Sequence, residues 1–529
     1  MNVRAPRRHP FSRLLAIRIM TTLVMVVAVA GFGSPVSPAS VAAPLPIPPE
    51  ATYTEAPCPA PNIPELGPAA NLGPDVACGY LTVPENRANP NGRTIRLAVA
   101  RVPATAATPR PDPIVYLTGG PGGIAFLDAL QSVAGGMNAD REVIFVDQRG
   151  TYHSDPFLAC PEYDQYLDES LRLHFSDPAT GKLDEASVQA CRDRLAQIGV
   201  DFSAYNSAEN AADIADLRVA LGIAEWNVYG VSYGTDLAQW LLRDHPAGIR
   251  SVVLDSVVPI DQNIINAWWP AAANGFQAMF DACAAQPACA SAYPDLAAEF
   301  TTAVTRLNDT PLVVETTNAA GDAATVNIDG YTFANLIVQQ SYIGERGFVS
   351  VPGMIHDVAK GDGQAAAVSL LSRVAPPGLI GYGLGFGAYC REMAALTTPA
   401  EVAAIAQEAL PDFPASVLQF VPVAGRIFED CDIWGAGTAS ENDLRPVKSD
   451  VPVLILGGSF DMVTPYAWGE HVADGLEHAQ VVAIPGGGHG LVHKFPCAQS
   501  LMTAFLDNPD VPLDTTCATN LTVPTFTIS

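Results

Sequence analysis
Lysine is nearly missing from this chain of 529 residues: Lys182, Lys360, Lys448 and Lys494 are the four that occur. Basic charge is scarce as a whole, with Lys+Arg 28 against Asp+Glu 55 and a formal net charge of -27. A nucleic-acid binder needs a basic footprint, and so does a protein that clings to anionic lipid, so neither class fits. Gly 43 and Pro 45 follow no G-X-Y period, which excludes a collagen-like chain. No C-x-x-C occurs, which argues against a zinc ribbon or a thioredoxin-like site. No internal repeat of roughly 20–50 residues is visible either. What remains is a globular composition, 49% hydrophobic and 16% charged, able to bury a large core. Length alone would allow roughly three or four domains.

The N-terminus reads as an address. Arg4, Arg7, Arg8, Arg13 and Arg18 precede an apolar run from Ile19 to Phe32, and Ser40-Val41-Ala42 offers a small-residue cleavage site. These are the parts of a secretory signal over residues 1–42. The run is shorter than the ~20 apolar residues of a spanning helix, so no stable membrane insertion is expected after cleavage. Arg7-Arg8 hints at a twin-arginine signal in poorly fitting surroundings, and the export route stays open. Removing 1–42 would leave a net charge near -32 on a soluble chain, secreted or held at the cell wall. The ten cysteines agree, since an even count in an exported protein reads as disulfides. They fall into sequential neighbours, 58 with 78, 160 with 191, 283 with 289, 390 with 431 and 497 with 517. That pairing closes the shortest loops, but the sequence leaves connectivity open.

Residues 43–74 are Pro-rich without apolar periodicity, which predicts an extended, partly disordered leader. Beyond it, short apolar runs alternate with helical patterns. Eight strands are predicted, at 76–83, 94–103, 113–118, 142–147, 226–231, 250–255, 451–457 and 479–484. Continuous runs such as Val143-Ile144-Phe145-Val146 suit strands of a parallel sheet buried on both faces. Asn206-Ser207-Ala208-Glu209 is a capping-box pattern opening a helix whose apolar positions are Ala211, Ile214, Leu217 and Leu221. Residues 259–445 interrupt the alternation and read as helices, a cap inserted between strands 6 and 7. The expected organisation is therefore a first core part at 75–258, the cap, and a second core part at 446–529, in an α/β fold.

The strand at 226–231 runs into Gly230-Val231-Ser232-Tyr233-Gly234 and then a helical pattern. This G-x-S-x-G in strand–turn–helix context predicts a nucleophilic Ser232, with the Tyr233 N–H as one oxyanion donor. A serine nucleophile needs a base and an orienter. Asp461 follows the strand at 451–457, and His489 sits in Gly486-Gly487-Gly488-His489-Gly490 after the next strand. Their chain order, Ser232, Asp461, His489, suits this fold. His489 would take the serine proton, and Asp461 would fix its tautomer. Asp255, at the end of another strand, is a rival acid. His489 and His493 stand four apart, but no Glu follows the first His and Gly490 disfavours helix, so no metal site is expected. The second oxyanion donor is assigned to Gly120 in Thr118-Gly119-Gly120-Pro121-Gly122-Gly123, because Pro121 has no N–H. Thr464-Pro465 is read as an N-cap and first residue of a helix.

Gly119-Gly120-Pro121-Gly122, Asp147-Gln148-Arg149-Gly150-Thr151 and the serine pentapeptide together resemble the proline iminopeptidase branch of α/β-hydrolases. The exported actinobacterial tripeptidyl-aminopeptidase-like members look most similar. The resemblance runs from about Cys78 to Cys517. It implies an α/β-hydrolase fold with a mostly parallel eight-stranded sheet flanked by helices, and a mainly helical cap. It implies the same triad and oxyanion pair, with Asp147 and Arg149 as scaffold. Family members of this type hold a substrate's N-terminal ammonium with cap carboxylates, which makes Glu345 and Glu392 candidates. Thr118 stands where the family often has His, and Tyr152 where it often has Gly, which leaves substrate preference open. The expected function is a secreted serine aminopeptidase acting on peptide substrates, with no cofactor. The alternative is a secreted carboxylesterase or lipid-acyl hydrolase with the same triad. Oligomeric state cannot be read.

Overall fold
Apolar, β-branched runs at the centre of the chain form a nine-stranded sheet in the order β1-β2-β3-β5-β4-β6-β7-β10-β11. The computed structural model describes residues 51–60, 72–318, 321–343 and 348–528, all within the unit Pro48–Ser529. The strands are β1 (Thr52–Ala56), β2 (Ala77–Pro84), β3 (Thr94–Val102), β4 (Ile114–Leu117), β5 (Val143–Val146), β6 (Trp226–Val231), β7 (Ile249–Asp255), β10 (Val453–Gly458) and β11 (Ala479–Ile484). From β5 through β4, β6, β7 and β10 to β11 all pairings are parallel. β1, β2 and β3 close one edge antiparallel.

Side-chain alternation divides the core between the two faces of this sheet. Ile114, Tyr116, Val143 and Phe145 pack with the helices Ala125–Ala134 and Pro496–Asp507. Val115, Leu117, Ile144 and Val146 pack with Ser207–Ala220 and Tyr233–Asp244. A strand covered on both faces has no polar face to show, which is why these runs are continuously apolar. The helix Ser207–Ala220 starts where its capping pattern puts it, with the Asn206 side chain accepting the Glu209 N–H at 3.0 Å. This is the α/β-hydrolase architecture that the motifs imply. The eight predicted strands gain a ninth, β1, which lies at the sheet edge inside the segment read as an extended, partly disordered leader. Its order comes from outside its own sequence: it pairs with β2 in register, and Cys58 joins Cys78. The predicted signal, 1–42, lies outside the described residues.

Between β7 and β10 stands the long insertion. It is mostly helical, but it also carries a hairpin, β8 (Leu312–Thr317) and β9 (Ala323–Ile328), where the sequence reading had helices. Both segments are rich in β-branched residues, and Gly321 between them turns with a φ of 90°. The insertion has its own apolar core, and Phe460, Met462 and Val463, which follow β10, are built into it. Disulfides join all ten cysteines as sequential neighbours. Cys390–Cys431 ties two helices of the insertion, Tyr382–Glu392 and Ile427–Trp434. No helix of the described residues is long and apolar enough to cross a membrane.

Asp147 and Arg149 hold the scaffold. Asp147 accepts the backbone N–H groups of Phe126 and His153 at 3.3 and 3.2 Å, and lies 2.8 Å from His153 Nδ1. The buried Arg149 guanidinium donates to both oxygens of the equally buried Asp213, at 2.7 and 2.8 Å, and to the Glu85 carbonyl at 2.7 Å. Removing Arg149 takes one of two cations from the buried Asp213, which keeps Arg87 at 2.8 Å, and the donor from the Glu85 and Ala204 carbonyls, so Arg149→Ala is expected to cost roughly 3 kcal/mol of stability. Arg172→Ala, at an ion pair more than half exposed on both sides, is expected to cost under about 1 kcal/mol. Denaturant unfolding of the two variants checks this, and equal shifts would contradict it.

Candidate active site
β6 leads into Ser232, whose φ of 55° and ψ of -126° lie where L side chains rarely go. Such a conformation costs about 1–3 kcal/mol and persists only when its surroundings impose it. The Ser232 N–H donates to the Asp255 carbonyl at 3.0 Å, and the helix Tyr233–Asp244 begins at the next residue. Glycine is required at 234 for a steric reason: a Cβ there would stand 2.0 Å from the Leu117 carbonyl oxygen. The elbow is thus pressed against the end of β4, where the Gly119–Gly123 loop starts. The Tyr233 N–H, at the first helical position, has no intrahelical acceptor.

Two neighbouring sets of bonds hold the Gly-rich loop. From the core, Gln148 Nε2 donates to the Thr118 carbonyl at 3.1 Å, and the Thr118 hydroxyl donates to Asp128. Burial pushes the Asp128 carboxyl up to about 6, against the lowering effect of that hydroxyl. From the insertion, the Tyr389 O–H donates to the Gly120 carbonyl at 2.9 Å, and the Gly381 N–H donates to the Gly122 carbonyl at 2.9 Å. Gly120, Ser232 and Tyr233 line one cavity, together with Trp268, Tyr342, Tyr389 and Thr464. Tyr152 is not among its lining residues; its ring packs on His153 and Phe157.

Asp461 and His489 come from the adjacent ends of β10 and β11. Gly458 permits this closeness, since a Cβ there would lie 2.4 Å from the carbonyl oxygens of Gly487 and Gly488. His489 Nδ1 stands 2.8 Å from Asp461 Oδ2. An ionised carboxylate only accepts, so Nδ1 carries the proton and Nε2 is left free to take one. His489 Nε2 is buried and has no hydrogen-bond partner among the described residues. Burial alone would raise the Asp461 carboxyl. The His489 imidazole beside it, and hydrogen bonds from His489 and Thr464, outweigh burial and hold it below the usual range. The Val463 and Thr464 N–H groups each donate to Asp461 Oδ1 at 2.9 Å, and the Thr464 O–H donates to Oδ2 at 2.7 Å. Thr464 is therefore not the helix cap read from the sequence. Its hydroxyl is spent on Asp461, and Pro465 precedes the helix Tyr466–Ala473. Thr464 Oγ also lies 3.0 Å from His489 Nδ1, and the Tyr342 ring packs edge-on against the imidazole at 4.8 Å. Both residues line the Ser232 cavity.

The other weighed residues separate cleanly. Asp255 does not reach the imidazole; it accepts the Leu491 and Val492 N–H groups at 2.9 Å and so anchors the loop after His489. His493 turns away to Tyr116, 3.0 Å from its hydroxyl. No group of three or more His, Cys, Asp or Glu among the described residues could hold a metal ion. Glu392 lines the cavity, while Glu345 lies outside the described residues. Sequence reading missed two residues. Asp236 lines the cavity one turn after Ser232, a helical spacing that could have flagged it. Ser341, from the insertion, had no local signal. Its carbonyl accepts the His489 N–H at 2.7 Å and its Oγ accepts the Met462 N–H at 3.0 Å, so one residue grips both loops.

Residues 397–517, which contain Asp461 and His489 but not Ser232, match the family Abhydrolase_4, described as TAP-like protein. The chain is similar to "Tripeptidyl aminopeptidase" of Streptomyces coelicolor, 31% identical over 203 residues, covering 36% of each chain. It is 30% identical over 223 residues to "Putative hydrolase YuaR" of Escherichia coli, covering 40% of this chain and 42% of that one. It is 28% identical over 211 residues to "Serine protease Hip1" of Mycobacterium tuberculosis, covering 39% of this chain and 40% of that one. The matches thus span less than half the length of these relatives.

The Ser341 hydroxyl offers a test of the clamp. Ser341→Ala leaves the Met462 N–H buried without its acceptor, at an expected cost of about 1–3 kcal/mol. The looser pair should slow phosphonylation of Ser232 by a fluorophosphonate about 10- to 100-fold. An unchanged rate in the folded variant would show that the clamp does not position the imidazole.

Proposed function
We propose that this α/β-hydrolase with a TAP-like C-terminal part is an exported serine aminopeptidase. Ser232 attacks the scissile carbonyl, and His489 Nε2 takes the hydroxyl proton. Asp461 holds the imidazole in the required tautomer and stabilises the imidazolium that forms. The Gly120 and Tyr233 N–H groups stabilise the oxyanion. His489 then protonates the departing amine, which leaves an acyl-enzyme on Ser232. Water activated by the same imidazole releases the acyl group.

The observation that carries the reading is one cavity in which a strained serine faces a buried carboxyl, with Thr464, the hydrogen-bond partner of Asp461, lining the same space. Asp461 itself is held below the usual carboxylate range and bound to His489. Glu392 lines the same cavity, and burial raises its carboxyl to about 7 despite hydrogen bonds from Ser207. A buried acid facing a hydrolytic serine suits a substrate that brings its own positive charge, as a free peptide N-terminus does. Glu392 is accordingly assigned to the substrate's α-ammonium. Tripeptidyl aminopeptidase relatives support peptides as substrates. The disulfides and the predicted signal support work outside the cytoplasm, where such bonds persist.

An alanine p-nitroanilide and a trialanine p-nitroanilide, each free and N-acetylated, test this beside a simple acyl ester. Free peptides should be turned over and acetylated ones spared, and Ser232→Ala should lose both hydrolysis and fluorophosphonate labelling. Equal turnover of acetylated peptide or ester would reject the aminopeptidase reading; equal labelling of Ser232→Ala would reject the nucleophile.

A further inference from the structure
The main chain at His489 is held from three directions. Its N–H donates to the Ser341 carbonyl of the insertion at 2.7 Å. On the sheet side, the Gly490 N–H donates to Ser256 Oγ at 2.8 Å, and the Leu491 and Val492 N–H groups donate to the Asp255 carboxylate at 2.9 Å. The His489 carbonyl remains, and it accepts from the Lys494 ammonium. The same ammonium donates to the Tyr342 carbonyl at 2.9 Å. One cation thus bridges the histidine of the core to the insertion residue beside it.

Both carbonyls need such a donor. Tyr342 lies in the single helical turn Gln340–Ile343, whose last carbonyls have no intrahelical partner. His489 lies outside any helix or strand, so its carbonyl has no ladder to join. A lysine near the end of a helical turn satisfies such groups. The residue type fits as well. This chain carries most of its positive charge on Arg and keeps four lysines. A guanidinium is a planar fork suited to a carboxylate, whereas an ammonium is a compact charge able to donate to two converging carbonyls. Nζ lies over the histidine loop, 3.8 Å from where a Cβ would stand at Gly490. The carboxylates whose charge reaches it, Asp255 and Asp461, are already engaged with the loop N–H groups and with His489.

The consequence falls on the imidazole. Asp461 and Thr464 hold its Nδ1 edge. Its Nε2 has no partner among the described residues, so packing alone restrains that end. The packing comes from the Tyr342 ring, edge-on at 4.8 Å, which also lines the Ser232 cavity. Tyr342 is 39% exposed, so little besides its own main-chain ties keeps it in place.

We propose that Lys494 is a positioning residue of the serine chemistry: its ammonium ties the Tyr342 carbonyl to the His489 carbonyl, holds the Tyr342 ring against the imidazole and so keeps Nε2 dry and in place. The role rests on Ser232 and His489 acting as nucleophile and base, and holds whether the acyl group comes from a peptide or an ester. Lys494 touches no reacting atom. It acts on every proton transfer that His489 makes, so its loss lowers kcat and spares KM.

The test measures fluorophosphonate labelling of wild type, Lys494→Met and Lys494→Cys, together with kcat and KM on the free trialanine p-nitroanilide. Lys494 is exposed, so these changes leave the core intact. Lys494→Cys is read before and after modification, with intact mass confirming each product. Bromoethylamine restores an ammonium at nearly the original reach, and methyl methanethiosulfonate adds an apolar chain without one. Lys494→Met should slow labelling about tenfold or more and lower kcat by a similar factor. Its KM should stay within about twofold of wild type. Bromoethylamine should bring Lys494→Cys to within about threefold of wild type, and the apolar reagent should leave it slow. A merely looser fold would raise KM too and would not respond to the charge of the reagent. An unchanged labelling rate in Lys494→Met, or a slow Lys494→Cys that the restored ammonium leaves slow, overturns the positioning role alone. No labelling of wild type overturns Ser232 as nucleophile and the role with it.

Discussion
The site depends on keeping the Asp461 carboxylate charged inside the protein. An anion taken out of water must find its partners in the fold, and here four donors supply them: two N–H groups of its own turn, the Thr464 hydroxyl and the His489 imidazole. The turn is held because its apolar residues, Phe460, Met462 and Val463, belong to the core of the insertion. The insertion is therefore more than a roof over the sheet edge. It buries the side chains that flank the acid, and through Ser341 it grips both the acid's loop and the histidine's.

From that constraint the rest of the cavity follows. The insertion that shields Asp461 also brings Tyr389 onto the Gly120 carbonyl and Glu392 onto Ser207. Hydrogen bonds then run from the Thr118 carbonyl through Gln148 and Asn210 to Tyr233, Ser207 and Glu392. The loop assigned to the oxyanion and the acid assigned to the ammonium thus share one buried polar chain. Asp461 is pushed down by a neighbouring imidazole and direct donors, while Asp236 and Glu392 are pushed up by burial. Carboxyl groups driven apart around one site suit different tasks.

Much of this was legible in the sequence. The runs Ile114–Leu117, Val143–Val146 and Val453–Gly458 announce doubly covered strands because burial on both faces leaves no polar alternation. Gly230 and Gly234 flag the elbow because close backbone approach tolerates nothing larger. The features that escaped are those that only tertiary contact creates. β1 needs β2 and a disulfide to be a strand. Thr464 fits a helix cap until Asp461 is beside it. Ser341 has no local pattern at all. The β8–β9 hairpin is a different case: its β-branched runs were readable but were absorbed into a stretch read as helical. Asp236 was readable too, one helical turn from the serine, but its burial was not.

The central claim is that Ser232 becomes acylated by the N-terminal part of a free peptide. Intact-mass analysis of the enzyme quenched during turnover of a free trialanine p-nitroanilide, followed by peptide mapping, reads this directly. The account predicts a single acyl adduct on Ser232, with a mass that reports how many residues are released. An adduct on any other residue, or one formed equally from the N-acetylated peptide, would contradict it.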